Sequence, residues 1–211
     1  AIGIDIGATK IASVLLSEEG KVVATSKVAT LPSEGMQAVF DRVAQEIKAL
    51  TQVFSREVIG IGIGSPGKVD ATRGVVYDAV NLGWTEVNLL DEISHRIEER
   101  LPIWIGKDTN LSALGEYYFG NGRDCDDFVY ASIGSGLGGG IISGGHLITG
   151  GDWYAADLGH ISINPNGLLC VCGNYGCAET TVSGAGLVRL TKSMLAEGFA
   201  GSYLRDATPL T

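Results

Sequence analysis

Prolines are scarce in this chain, 5 in 211 residues, and aromatic side chains make up only 7%. With 31 glycines and no short repeat, that composition excludes a collagen-like or linker-like polymer. Basic residues are outnumbered, 15 Lys and Arg against 24 Asp and Glu, for a formal net charge of −9. Such a field repels nucleic acid and anionic lipid, so neither is an expected partner. A small molecule is. No apolar run approaches the roughly 20 residues that cross a bilayer; VIGIGIG (58–64) and IWIG (103–106) are strand-length. The opening AIGIDIG has no basic stretch ahead of its apolar residues, so no signal peptide is expected and the cytoplasm is the expected location.

What is present is apolar and layered. Hydrophobic residues are 45% of the chain, enough for a buried globular core. Strands are expected at 2–6, 11–16 and 21–28 as an antiparallel meander, then a helix over about 34–53, marked by Val39, Phe40, Val43, Ile47 and Leu50 with Ser33 as N-cap. A strand at 58–64, an amphipathic segment at 89–101 and a strand at 103–106 complete a β-β-β-α-β-α-β order. This is an α/β layered domain. From about 107 a helix (111–120), a strand (128–133), a glycine turn and a strand (138–143) repeat the hairpin grammar of residues 2–16, and a last helix is expected over 182–198 with Ser183 as cap.

Two glycine turns invite a phosphate. DIGATK places Asp5, Gly7, Thr9 and Lys10 at a strand end, where backbone N–H groups, a hydroxyl and a cation suit a phosphate and Asp5 suits its metal ion. The same stretch also reads as a plain hairpin turn with Asp5 bonding its own loop. GSGLGGG (134–140) could do the same with Gly134, Ser135, Gly136 and Gly138. A polyphosphate gripped from two sides needs donors from both. In GKDTN (106–110), Asp108 follows a core strand, where α/β sheets place ligands; it is either a general base for a hydroxyl or, with Asn110, a helix cap.

The four cysteines are not evenly spread. His160, Cys170, Cys172 and Cys177 are spaced H-x9-C-x-C-x4-C, and three thiolates with one imidazole meet the tetrahedral preference of structural zinc. A disulfide from Cys170 to Cys172 would close a strained ring, and a redox C-x-x-C is absent. Cys125 stands apart as a lone thiol. Residues 159–179 hold no Lys or Arg and one aromatic, Tyr175, so a nucleic-acid knuckle is disfavoured against a scaffold for the flanking carboxylates Asp157 and Glu179. Those two carboxylates read either as acceptors for sugar hydroxyls or as solvated surface acids.

Taken in order, DIGATK (5–10), GIGIGSPGKVD (60–70), NLGW (81–84), DTNLSALGE (108–116), IGSGLGGGII (133–142), LGH (158–160) and CVCGNYGCAE (170–179) resemble the ROK family. That group comprises repressors, open reading frames and sugar kinases, including bacterial zinc-containing glucokinases. The resemblance implies an actin-like ATPase fold of the ribonuclease H type, with lobes 1–107 and 108–211, each a mixed sheet flanked by helices. It implies a kinase that phosphorylates a glucose-like hexose, at the 6-hydroxyl, from ATP with Mg2+. Asp108 is then the catalytic base, and Asp5, Gly7, Thr9, Lys10 and Gly134 to Gly138 hold phosphate. Asn81, Glu179 and His160 contact the sugar, with structural Zn2+ on His160, Cys170, Cys172 and Cys177. A homodimer is implied too.

Lys107 stands where family glucokinases commonly carry Asn, and Asp157 where they carry Glu; both lie in the implied sugar pocket and bear on which sugar fits. Family kinases also continue past this length, so the C-terminal part of the second lobe is expected to be missing after LRDATPLT. The alternatives are a sugar-binding effector domain of a ROK-type regulator and a catalytically inactive homologue.

Overall fold

A computed structural model describes residues 1–53, 58–97 and 101–198. It divides into two units, Ala1–Leu111 and Ser112–Thr211. The first is built on a five-stranded mixed sheet in the order β3-β2-β1-β4-β8, from β1 (Ile2–Ile6), β2 (Lys10–Leu16), β3 (Val22–Ala29), β4 (Ile61–Ser65) and β8 (Ile103–Lys107). The meander is antiparallel, whereas β4 runs parallel to β1 and β8 parallel to β4. Parallel neighbours need crossovers, and α1 (Met36–Val53) lies in the first of them.

Helix α1 presents Val39, Phe40, Val43, Ala44, Ile47 and Leu50 as one buried stripe. They pack with Ile2, Ile4, Ile6, Ile11, Ile61 and Ile63 of the sheet. Ser33 does not cap this helix. It lies inside a 3-10 turn, Pro32–Glu34, because Pro32 pre-sets the first φ of that turn, and α1 starts only after Gly35 at φ 96°.

Between β4 and β8 the chain forms a second small sheet that the strand count missed, β5 (Lys68–Asp70), β6 (Val75–Ala79) and β7 (Trp84–Asn88), in that order and antiparallel. Its strands have three to five residues, too short for a periodicity to stand out. The audible signal was the turn: Asp70 Oδ1 accepts the N–H groups of Thr72 and Arg73, and Gly74 follows at φ 67°. Helix α2 covers Leu89–Ser94; of the amphipathic segment expected over 89–101, residues 98–100 lie outside the described residues.

Helix α3 (Asp108–Phe119) leads from the first unit into the second. It begins three residues earlier than expected, directly at the end of β8, since Asp108 Oδ1 accepts the Thr109 N–H at 2.7 Å and supports the first turn. The second unit holds β9 (Phe128–Ile133), β10 (Leu137–Ser143) and β11 (His146–Leu147), antiparallel in the order β11-β10-β9. The last helix is split: α4 (Glu179–Val182) and α5 (Gly184–Ala196) are separated by Ser183, which is extended and accepts the Gly186 N–H at 3.0 Å. Ser183 therefore caps as the sequence suggested, two residues into the expected span. No helix among the described residues is long and apolar enough to cross a membrane.

Candidate active site and metal centre

The parallel core of the first unit sets out its chemistry. Asp5 pairs with Gly64, and Gly64 with Gly106, so Asp5, Ser65, Lys107 and Asp108 crowd at the C-terminal ends of β1, β4 and β8. Gly64 is the spacer. A Cβ there would stand 3.7 Å from Asp5 Oδ1, 3.6 Å from Asp108 Cα and 3.5 Å from Leu111 Cδ1, so the two acidic residues flank a backbone position that Leu111 partly covers.

Both carboxyls are electrostatically loaded. Burial raises the pKa of half-buried Asp108 above the usual carboxylate value and the Asp5 charge adds to it, while the Thr109 N–H and the Lys107 cation pull it down. Asp5 reaches solvent, yet loss of hydration raises its pKa as well, with Lys10 opposing. A partly buried, poorly solvated carboxylate at a strand end is suited to taking a proton. Asn110, the other cap candidate, is inside the first turn and buried, with its Oδ1 unpartnered among the described residues.

The first glycine turn is a tight hairpin. Its own backbone closes it, Gly7 N–H to Lys10 O at 2.9 Å, and Thr30 Oγ1 donates to Gly7 O at 2.6 Å. Thr9 and Lys10 are exposed at its tip. Asn81 is exposed in a 3-10 turn, Val80–Leu82, ahead of β7.

In the second unit the glycine turn between β9 and β10 closes through Gly134 N–H to Gly136 O at 2.9 Å. Gly134 and Ser135 then meet the start of α5, where Gly184 N–H donates to Gly134 O at 2.8 Å and Ala185 N–H to Ser135 O at 3.3 Å. A pocket of about 550 Å3 opens there, lined by Gly134, Ser135, Gly184, Ala185, Val188 and Arg189. Gly138 sits on β10, opposite Ser132 of β9.

His160, Cys170, Cys172 and Cys177 converge, with one ligand atom from each lying within 4.8 Å of the others. Cys170 Sγ is 3.5 Å from His160 Nδ1, and Cys172 Sγ is 3.5 Å from Cys177 Sγ. Bonds of about 2.3 Å to sulfur and about 2.0 Å to nitrogen give tetrahedral edges of roughly 3.5 to 3.8 Å, so the donors fit zinc. Burial and the neighbouring thiols push Cys177 up to about 12, a cost that a bound dication would reverse by charge. The loop is shaped for closure: a Cβ on Gly176, at φ 65°, would overlap the Asn164 carbonyl, and Ile163 N–H donates to Gly176 O at 2.9 Å.

The flanking acids part company. Asp157 lies half-buried ahead of a 3-10 turn, Leu158–His160. Glu179 starts α4, and its Oε2 accepts the Leu137 N–H of the glycine hairpin at 2.8 Å. Reading the sequence for sugar acceptors missed that contact, because Leu137 and Glu179 are 42 residues apart.

A model of the ROK family matches residues 1–205. The chain belongs to the ROK family. A glucokinase of Streptomyces coelicolor is 40% identical over 191 residues, covering 90% of this chain and 58% of that protein. A xylose repressor of Caldicellulosiruptor bescii is 33% identical over 207 residues, 96% of this chain and 51% of that one. The crystal structure of a ROK family glucokinase from Streptomyces griseus, in complex with glucose and AMPPNP, superposes with a TM-score of 0.79 at 40% identity, covering 94% of this chain and 62% of that chain. The ROK chain has the actin-like ATPase fold of these neighbours, and it spans between about half and three fifths of their length.

Proposed function

We propose that this ROK chain carries the catalytic base and substrate contacts of an ATP-dependent hexose kinase. One observation carries the reading: Asp5 at the end of β1 and Asp108 at the end of β8 stand on either side of Gly64 on the intervening parallel strand β4, and Asp108 is a half-buried carboxylate of raised pKa. In the reaction, Asp108 takes the proton of a hexose hydroxyl, on this reading the 6-hydroxyl, as its oxygen bonds to the γ-phosphorus. The bond from that phosphorus to the bridging oxygen breaks and ADP leaves.

Asp5 is the residue that would hold the Mg2+ of the nucleotide, which supplies charge neutralisation on the phosphates. Thr9 and Lys10 offer a hydroxyl and a cation to the phosphates, as do Gly7 and the turn of Gly134, Ser135, Gly136 and Gly138 through backbone. Asn81, Lys107, Asp157, His160 and Glu179 contact sugar hydroxyls. His160 gives Nδ1 to the zinc set, which leaves Nε2 for a hydroxyl. A structural zinc held by His160, Cys170, Cys172 and Cys177 would orient that ring, and the proton transfer rests with Asp108.

A second reading, a sugar-binding module of a regulator, follows from likeness to the family's repressors. A coupled ADP-release assay on the zinc-loaded protein, against a panel of hexoses and N-acetylhexosamines, separates the two. Turnover of at least one sugar is expected; sugar binding by calorimetry with no turnover of any would overturn the kinase reading and favour the module.

A further inference from the structure

The cysteine loop touches the glycine hairpin on both sides of its metal ligands. Immediately before His160, Gly159 packs so close to the Leu137 carbonyl that a Cβ would overlap it, and Leu158 lies against Gly139, where a Cβ would meet the Leu158 side chain and, at 2.8 Å, the Tyr130 carbonyl. Two residues after Cys177, Glu179 Oε2 accepts the N–H of the same Leu137 at 2.8 Å. Leu137 is thus held at its carbonyl side and at its amide by two segments that carry the ligands His160 and Cys177 and are joined by the Ala178 N–H to Ile161 O at 2.9 Å.

Helix α5 closes the triangle. Ser183 Oγ donates to Glu179 O at 2.8 Å, the next two N–H groups hold the carbonyls of Gly134 and Ser135, and Arg189 donates to Leu169 O at 2.7 Å, next to Cys170. Loop, hairpin and helix share one set of polar contacts. Little apolar burial supports them: of the second unit, only Ala113, Ile142, Ala156, Cys170 and Cys177 are buried hydrophobic residues among those described. When contacts are polar and few, the order of one element depends on the order of the others.

We propose that the cysteine loop clamps the glycine hairpin through Glu179 and Gly159, so that metal occupancy of His160, Cys170, Cys172 and Cys177 sets how firmly the hairpin holds a nucleoside triphosphate. Glu179 is on this account a positioning residue for the nucleotide as well as a sugar contact. The nucleotide part rests on the hairpin's role in the proposed kinase; the clamp itself does not. Coupling between two ligands is reciprocal, so a nucleotide that binds the ordered hairpin must also retain the metal.

Two measurements test it on the zinc-loaded protein. Hydrogen exchange of the Leu137 amide, read by NMR, is expected to accelerate when a chelator removes the metal, while the Ile4 and Ile6 amides in the first unit keep their protection. Zinc loss to a chromophoric chelator is expected to weaken by about 5- to 100-fold in the presence of saturating AMPPNP and Mg2+, and AMPPNP affinity to fall by the same factor on stripping. Glu179→Gln keeps an acceptor for Leu137 and retains the coupling; Glu179→Ala binds zinc and loses it. Leu137 exchange indifferent to the metal would overturn the clamp. AMPPNP failing to bind the loaded protein would instead overturn the kinase reading, and the Leu137 exchange then decides the clamp alone.

Discussion

The two glycine hairpins, β1–β2 and β9–β10, carry similar sequence grammar but are held in place by different physics. In the first, Ile2, Ile4, Ile6 and Ile11 are buried against α1 and β4, within a core cluster that belongs to the first unit. In the second, β9 alternates half-buried and exposed residues, with Val129 at 59% and Ile133 at 65% exposure, and the turn is fixed by Glu179, Gly159 and the start of α5. Burial tolerates a change of solvent ions and resists chelators; a polar clamp tied to a metal does neither. Similar turns can thus have opposite vulnerabilities.

The largest expected effect tests what the buried end of the first unit is for. Asp108→Asn is expected to lower turnover by about 10²- to 10⁴-fold, as loss of a general base does, measured in the coupled assay. Stability should move the other way. Because the folded pKa of Asp108 is raised, the stabilising contribution of its protonated form is present at low pH and lost as pH rises through that value, so at neutral pH the charge costs stability. The variant should melt at the same temperature or higher; a clear drop would contradict the assignment.

Next is the apolar side of the comparison. Phe40→Ala, at a fully buried side chain tilted against Trp84 with centroids 5.2 Å apart, is expected to cost about 3–5 kcal/mol in denaturant melts without changing the zinc stoichiometry of the folded protein. Its counterpart is Gly176→Ala. The Asn164 carbonyl and the positive φ leave no room for a methyl, so bound zinc per chain should fall while the first unit's amides keep their protection. If Phe40→Ala released zinc, or Gly176→Ala unfolded the first unit, the two regions would not be the separate systems described here.

The smallest effect is electrostatic. Lys107 lowers the pKa of Asp108, so Lys107→Met should move the acid limb of the kcat/KM profile to higher pH. An unmoved limb would disconnect Lys107 from the base.

Much of this was legible before any coordinates. Alternation and helical spacing located β1, β2, α1 and β8, since long apolar stripes leave a periodic trace; Val39 to Leu50 is the clearest example. The convergence of His160, Cys170, Cys172 and Cys177 was legible from donor chemistry and spacing alone. The sheet β5-β6-β7 was not, because strands this short have no period to read, and its best mark was the Asp70 turn with Gly74. The Glu179 to Leu137 contact was not legible either. Nothing local in either residue encodes a partner 42 positions away, and only the fold of the loop brings them together.

Confinement of the apolar core cluster to the first unit has a practical consequence for anyone handling this protein. Melting curves report chiefly on apolar packing, here Phe40, Trp84 and their neighbours, whereas Trp153 and six of the seven tyrosines lie in the second unit and give it a near-ultraviolet signal of its own. A batch purified with a chelating resin can keep a native melting curve while its second hairpin is slack. The metal-to-protein ratio is the quality figure that such a batch cannot counterfeit.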